Sequence, residues 1–218
     1  MEENSLKRRR YTVGEEIFNS VSHGIGVIFA IAGCSVLIVL SAIYADKWAV
    51  ISSIVYGISM MLLYTASTLY HSLTNQKAKD IFRVFDHCTI FLLIAGTYTP
   101  FTLYTLRESG GIKLFAVVWA SAIIGIVLNA VDLKKFEKVS VLLYIIMGWS
   151  IIFALKPLVS AVSVLTLVLL VTGGVMYTAG VIFFKLTKYR YMHSIWHLFV
   201  LAGTVLQYLA IVFNVVGM

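Results

Sequence analysis

Seven long apolar runs, at roughly 19–43, 48–71, 84–106, 112–131, 139–155, 158–184 and 192–216, constrain this chain more than any other feature. A helix crosses a bilayer with about 20 mostly apolar residues, and about 17 is the lower limit that the shortest run, 139–155, just meets. The 218 residues are 60% apolar and 12% charged, where a soluble domain has about 45–50% and about 25%. Seven crossings take about 140 residues and leave the rest for tails and short loops. The expected fold is an all-α integral membrane protein, one seven-helix transmembrane domain over residues 1–218.

Other classes are excluded on the same grounds. Two prolines and no low-complexity run argue against disorder or an interdomain linker. Cys34 and Cys88 both fall inside apolar runs, so neither a disulfide framework nor a cysteine zinc ribbon is available. Lys7, Arg8, Arg9 and Arg10 precede the first run as they would in a signal peptide. That run is too long for an h-region of about 7–15 residues and lacks an A-x-A site, so a retained span is expected.

Charge placement sets the orientation. Seven crossings put alternate loops on opposite sides. One set holds Lys7 to Arg10, then Lys77, Lys79 and Arg83, then Lys134, Lys135 and Lys138, then Lys185, Lys188 and Arg190; the other holds only Lys47, Arg107, Lys113 and Lys156. Thirteen of the seventeen Lys and Arg thus share a side, which places the N terminus in the cytoplasm and the C terminus outside, with 1–16 as a short basic cytoplasmic tail. The net charge of +7 therefore reports topology. Anionic lipid headgroups are compatible with it; nucleic acid is not expected as a partner, and protein partners are not indicated.

All five histidines lie near cytoplasmic ends of the spans: His23 in the first, His71 closing the second, His87 opening the third, and His193 and His197 opening the seventh. Ionisable groups at such positions are costly and mark function. Helical spacing gathers them further. His193 and His197 are four apart, as are Ser67 and His71, and Glu16, Asn19 and His23 sit at i, i+3 and i+7, so each set shares a helix face. Asp86 neighbours His87. An i, i+4 histidine pair plus a histidine from another helix supplies the three ligands of a catalytic zinc site, and His71, His193 and His197 are the expected ligands. Copper or nickel would also accept imidazole, with zinc favoured.

Simpler roles compete at several positions. His87 can cap a helix or bond across helices, and His23 can be structural or can orient a ligand. Asp86 can pair with Arg83, and Ser67 can bond back to its own helix. Elsewhere, Ser22, Gly26 and Ala30 form a small-residue stripe for close helix packing. Pro100 predicts a kink, and Lys77 to Arg83 predict a short solvated loop.

Glu16-x2-Asn19-x3-His23, Ser67-x3-His71, Asp86-His87 and His193-x3-His197, with the stretch Ala95 to Phe101, resemble the signature of the hemolysin III proteins. Those are the bacterial branch of the progestin and adipoQ receptor family, which includes the adiponectin receptors and is distantly similar to alkaline ceramidases. The resemblance spans nearly the whole chain. It implies a seven-helix multi-pass protein of the bacterial plasma membrane with zinc near the inner leaflet. The receptors hold their metal with histidines matching His71, His193 and His197; their aspartate matching Asp86 meets a water on the zinc, and the serine matching Ser67 lies beside it. Gln207 stands where receptor relatives tend to carry a further histidine that is not one of those ligands.

Three functions follow as expectations. The first is a ceramidase-like, zinc-dependent hydrolase of a lipid amide or ester in membrane lipid homeostasis, with Asp86 as general base and acid, Ser67 at the oxyanion, and Glu16, Asn19 and His23 orienting the ligands. The second is a membrane-active cytolysin, as the family name suggests. The third is a membrane-state sensor or receptor with structural zinc. A light-driven protein is not expected, because no lysine follows Lys188 to carry a Schiff base.

Overall fold

A computed structural model describes residues 11–186 and 188–217, so Lys7 to Arg10 lie outside the described residues. The first helix, α1 (Val13–Tyr44), begins six residues before the apolar run because Thr12 and Glu15 form a capping box. Each side chain takes the other's backbone N–H, which satisfies two of the donors a helix start leaves orphaned. Glu15 and Glu16 therefore belong to the first turn of α1 and not to a tail. Asp46 then caps α2 (Lys47–Ser72), accepting from Trp48 N and Ala49 N.

The stretch Lys77 to Arg83 is not a loop. It forms the first two turns of α3 (Gln76–Pro100), because Asn75 accepts from Ala78 N and Gln76 pairs with Asp80 one turn on. Polarity excluded these residues from the bilayer but not from a helix. After Pro100 the α-helical ladder gives way to a π-helical turn over Phe101–Thr105, closed by Leu106 N to Phe101 O.

A 38-residue helix, α4 (Gly111–Gly148), contains one non-helical residue, Asp132. There the chain doubles back. Asn129 meets Ser140 at 2.6 Å and Tyr144 at 3.4 Å, whereas 15 residues of straight helix would hold Asn129 and Tyr144 about 22 Å apart. Asp132 accepts from Lys135 N and so starts the second limb as an N-cap. A 3-10 stretch, Ser150–Ala154, and the short α5 (Leu155–Ala161) finish that limb. The expected 158–184 span instead starts later, as α6 (Val164–Lys185), because Ser163 caps it through Thr166 N. The last helix is α7 (Met192–Val216).

Among the described residues, six segments are long and apolar enough to cross a membrane, and the fourth, Gly111–Ala161, contains both the 112–131 and the 139–155 runs. Ile17, Val21, Ile25 and Ile28 form an outward stripe on α1, each more than half exposed; lipid, not water, is the solvent such a stripe suits. The opposite face of α1 is the small-residue stripe. Gly26 lies against the Tyr64 ring of α2, and Gly57 of α2 against Cys34, leaving no room for a Cβ at either glycine. That close contact fixes α1 and α2 side by side, with the start of α1 and the end of α2 at one level. Glu15 adds α7 to the pair by accepting from Tyr191 N at 2.8 Å.

Candidate metal centre

His71 comes from the last turn of α2, and His193 and His197 from the first two turns of α7. All three are buried, with one potential ligand atom from each within 4.8 Å of the others. His193 Nε2 and His197 Nε2 stand 3.2 Å apart. His71 Nε2 is buried with no hydrogen-bond partner. Tetrahedral nitrogen ligands at about 2.0–2.1 Å from zinc are about 3.3–3.4 Å from one another. A partnerless lone pair beside two converging imidazoles is what a divalent cation requires, so these residues could hold one.

Surrounding groups set the ring that matters most. Glu16 Oε2 lies 2.7 Å from His71 Nδ1 and Glu16 Oε1 lies 2.7 Å from Lys79 Nζ. A carboxylate on Nδ1 accepts its proton and leaves the Nε2 lone pair for a metal. Asn19 ties the helices together: its Oδ1 accepts from Ser194 Oγ at 2.6 Å and its Nδ2 approaches His71 Nδ1 at 3.5 Å. Ser22 Oγ faces His197 Nδ1 at 3.4 Å. Glu16 and Asn19 thus both meet His71 Nδ1. His23 differs. It makes no hydrogen bond to a ligand histidine, and its ring stacks on His197 at 3.7 Å and 16° because both face the same seam between α1 and α7.

Asp86 faces Ser67, and the two line one cavity with His193 and His197. Ser67 Oγ is buried without a hydrogen-bond partner, so it does not bond back to α2. Arg83 approaches Glu137 at 3.9 Å, and no Arg83–Asp86 ion pair occurs among the described residues. His87 lines the same cavity as Asp86 and packs near Phe184. This cavity, about 150 Å³, begins at the histidines and runs between α3, α4, α6 and α7 as far as Phe101 and Gln207. Fourteen residues of α7, His193 to Gln207, correspond to about 21 Å, so it is a narrow slot. Its lining is mostly apolar, with Thr97, Thr178 and Gln207 as polar side chains beyond the histidine end.

Three contributors carried no functional signal in the sequence. Tyr11 stacks on His193 at 5.0 Å and 28° and lies 5.6 Å from His71, covering the histidines beside the start of α1. Burial pushes its phenol above the ordinary range, so the hydroxyl keeps its proton at neutral pH. Lys79 fell in the expected loop, and Ser194 looked like any small helix residue. Only the helical start of α3 and the pairing of α1 with α7 bring them to the site.

The chain matches the family model described as haemolysin-III related over residues 11–208. It is 44% identical to the protein named Hemolysin-3 from Bacillus cereus over 210 residues, 96% of each chain. It is 42% identical to the Hemolysin-3 homolog of Bacillus subtilis (strain 168), covering 93% of this chain and 95% of that one. Human monocyte to macrophage differentiation factor is 29% identical, over 94% of this chain and 86% of its own. No solved structure matches. With a family model spanning the histidine constellation and six helices able to cross a bilayer, this multi-pass membrane protein belongs to the haemolysin-III related family.

Proposed function

We propose that the protein is a zinc-dependent hydrolase that cleaves an acyl amide or ester of a membrane lipid at the cytoplasmic end of a seven-crossing bundle. The reversal at Asp132 supports seven crossings, since the two limbs of α4 lie side by side. The basic bias of one loop set supports a cytoplasmic N terminus. One observation carries the catalytic reading: three convergent imidazoles stand beside a carboxyl and a partnerless serine hydroxyl at the head of an apolar slot.

His71, His193 and His197 would hold the ion. When bound, it supplies Lewis-acid polarisation of a carbonyl and acidification of water. The lipid's acyl chain lies in the slot, with its carbonyl at the histidine end. Asp86 takes a proton from the attacking water as the oxygen bonds to the carbonyl carbon. Ser67 Oγ–H donates to the carbonyl oxygen while it carries charge. Asp86 then returns the proton to the departing amine or alcohol as the C–N or C–O bond breaks, and a fatty acid remains. Glu16 keeps His71 in the ligating tautomer throughout, and Tyr11 limits access of bulk water.

Purified protein should release fatty acid from a lipid amide or ester. A chelator should stop this and added zinc should restore it. Asp86→Asn should keep the metal and lose at least about a hundredfold in rate. Release that persists when all three ligand histidines are alanine would sink the proposal. The names of the Bacillus relatives favour a second reading, direct lysis. A pore needs a polar lining through the bilayer, and the slot is lined mostly by apolar side chains. Dye leakage from liposomes carrying the triple-alanine protein would favour lysis over hydrolysis.

A further inference from the structure

His23 is buried, 3% exposed, with neither ring nitrogen in a hydrogen bond. A neutral imidazole offers one donor and one acceptor, and a buried polar group left unpaired on both sides is rare. The ring cannot turn to find partners. His197 stacks on one face at 3.7 Å, and the Tyr64 ring meets it edge-on at 5.1 Å. His23 also lines the apolar slot, at the end that holds Ser67 and Asp86. A residue held in this manner presents an unused donor and acceptor to whatever occupies the slot.

The charge of the lining narrows the occupant. No lysine or arginine lines the slot among the described residues, and its carboxyl is Asp86. A phosphate or a second carboxylate there would meet no side-chain cation and would face Asp86 in a low-dielectric setting. An amide or alcohol carries no charge and offers a donor and an acceptor that match those of a neutral imidazole.

We infer that His23 is a ligand-binding residue that hydrogen-bonds an uncharged amide or alcohol headgroup of an acyl lipid whose chain fills the slot. This goes beyond the orienting role its spacing suggested and rests on the proposal that the slot holds a lipid. It makes headgroup neutrality a selection rule: a neutral acyl lipid is preferred over an acyl phosphate of equal chain length.

The test uses the purified full chain in detergent, with zinc content and amphiphile binding read by native mass spectrometry. Three probes share one saturated chain and have no hydrolysable acyl bond: a monohexadecyl glycerol ether, palmitate and hexadecyl phosphate. His23→Phe keeps a ring to stack on His197 but removes both nitrogens. The ether is expected to bind the parent protein more tightly than the phosphate, and to weaken about tenfold in the variant. Palmitate affinity and zinc content should stay within about twofold, and His23→Gln should recover part of the loss. Unchanged ether binding in His23→Phe overturns the assignment and leaves His23 as a hydrated core residue. Joint loss of zinc and of all three probes also overturns it, because His23 would then only support His197. If no probe binds the parent protein, the lipid-slot proposal fails first and this inference with it.

Discussion

Removing the Glu16 carboxylate is the sharpest probe of the candidate metal centre, because it leaves all three histidines in place. Glu16 Oε2 lies 2.7 Å from His71 Nδ1, a distance typical of a charge-assisted hydrogen bond. In Glu16→Ala the polar neighbour left near Nδ1 is the Asn19 amide nitrogen at 3.5 Å. That group is a donor, so it favours the tautomer with the proton on Nε2, which cannot ligate. Loss of such an orienting group costs about 10- to 100-fold in metal affinity. Glu16 is 20% exposed and shared with Lys79, both of which weaken its hold. The lower part of the range is therefore expected, about 10- to 30-fold, equivalent to about 1.4–2 kcal/mol. Chelator competition for zinc on the purified variant measures it directly, and circular dichroism monitors the fold. Glu16→Gln, whose amide oxygen can still accept, should lose less. An alanine variant that binds zinc within about threefold of the parent would refute the tautomer argument, as would glutamine behaving worse than alanine.

Other outcomes follow from the same geometry. His193→Ala and His197→Ala should each purify without stoichiometric metal, checked by elemental analysis; full retention in either would remove that histidine from the ligand set. Gly57→Ala drives a methyl into Cys34 and should destabilise the α1–α2 pair by about 1–3 kcal/mol; thermal unfolding in detergent unchanged from the parent would contradict the close packing. Cysteines placed at Lys134 and Lys113 should be labelled from opposite sides of sealed vesicles, Lys134 from the cytoplasmic side. Labelling from the same side would mean that α4 does not cross twice.

The sequence by itself determined the membrane class, because apolar runs of bilayer length have few other fates. It also singled out the three histidines that converge, since i, i+4 spacing on α7 and a helix-terminal position on α2 are properties of the helix alone. Signals that depend on competing local rules were less legible. Hydropathy placed Lys77 to Arg83 in a loop, but the Asn75 cap and the Lys79–Glu16 pair make it helix. Hydropathy also placed the sixth run at 158, where Ser163 starts the helix five residues later.

Only the tertiary structure decided what faces what. Spacing puts Glu16, Asn19 and His23 on one face of α1, yet the first two engage neighbouring polar groups while His23 stacks and keeps its nitrogens unpaired. Helical periodicity states which residues share a side, not which neighbour that side meets. The closing position of Tyr11 and the slot beside Asp86 arise likewise from side-by-side packing of helices distant in sequence, where small residues set the approach and no single stretch contains the contact.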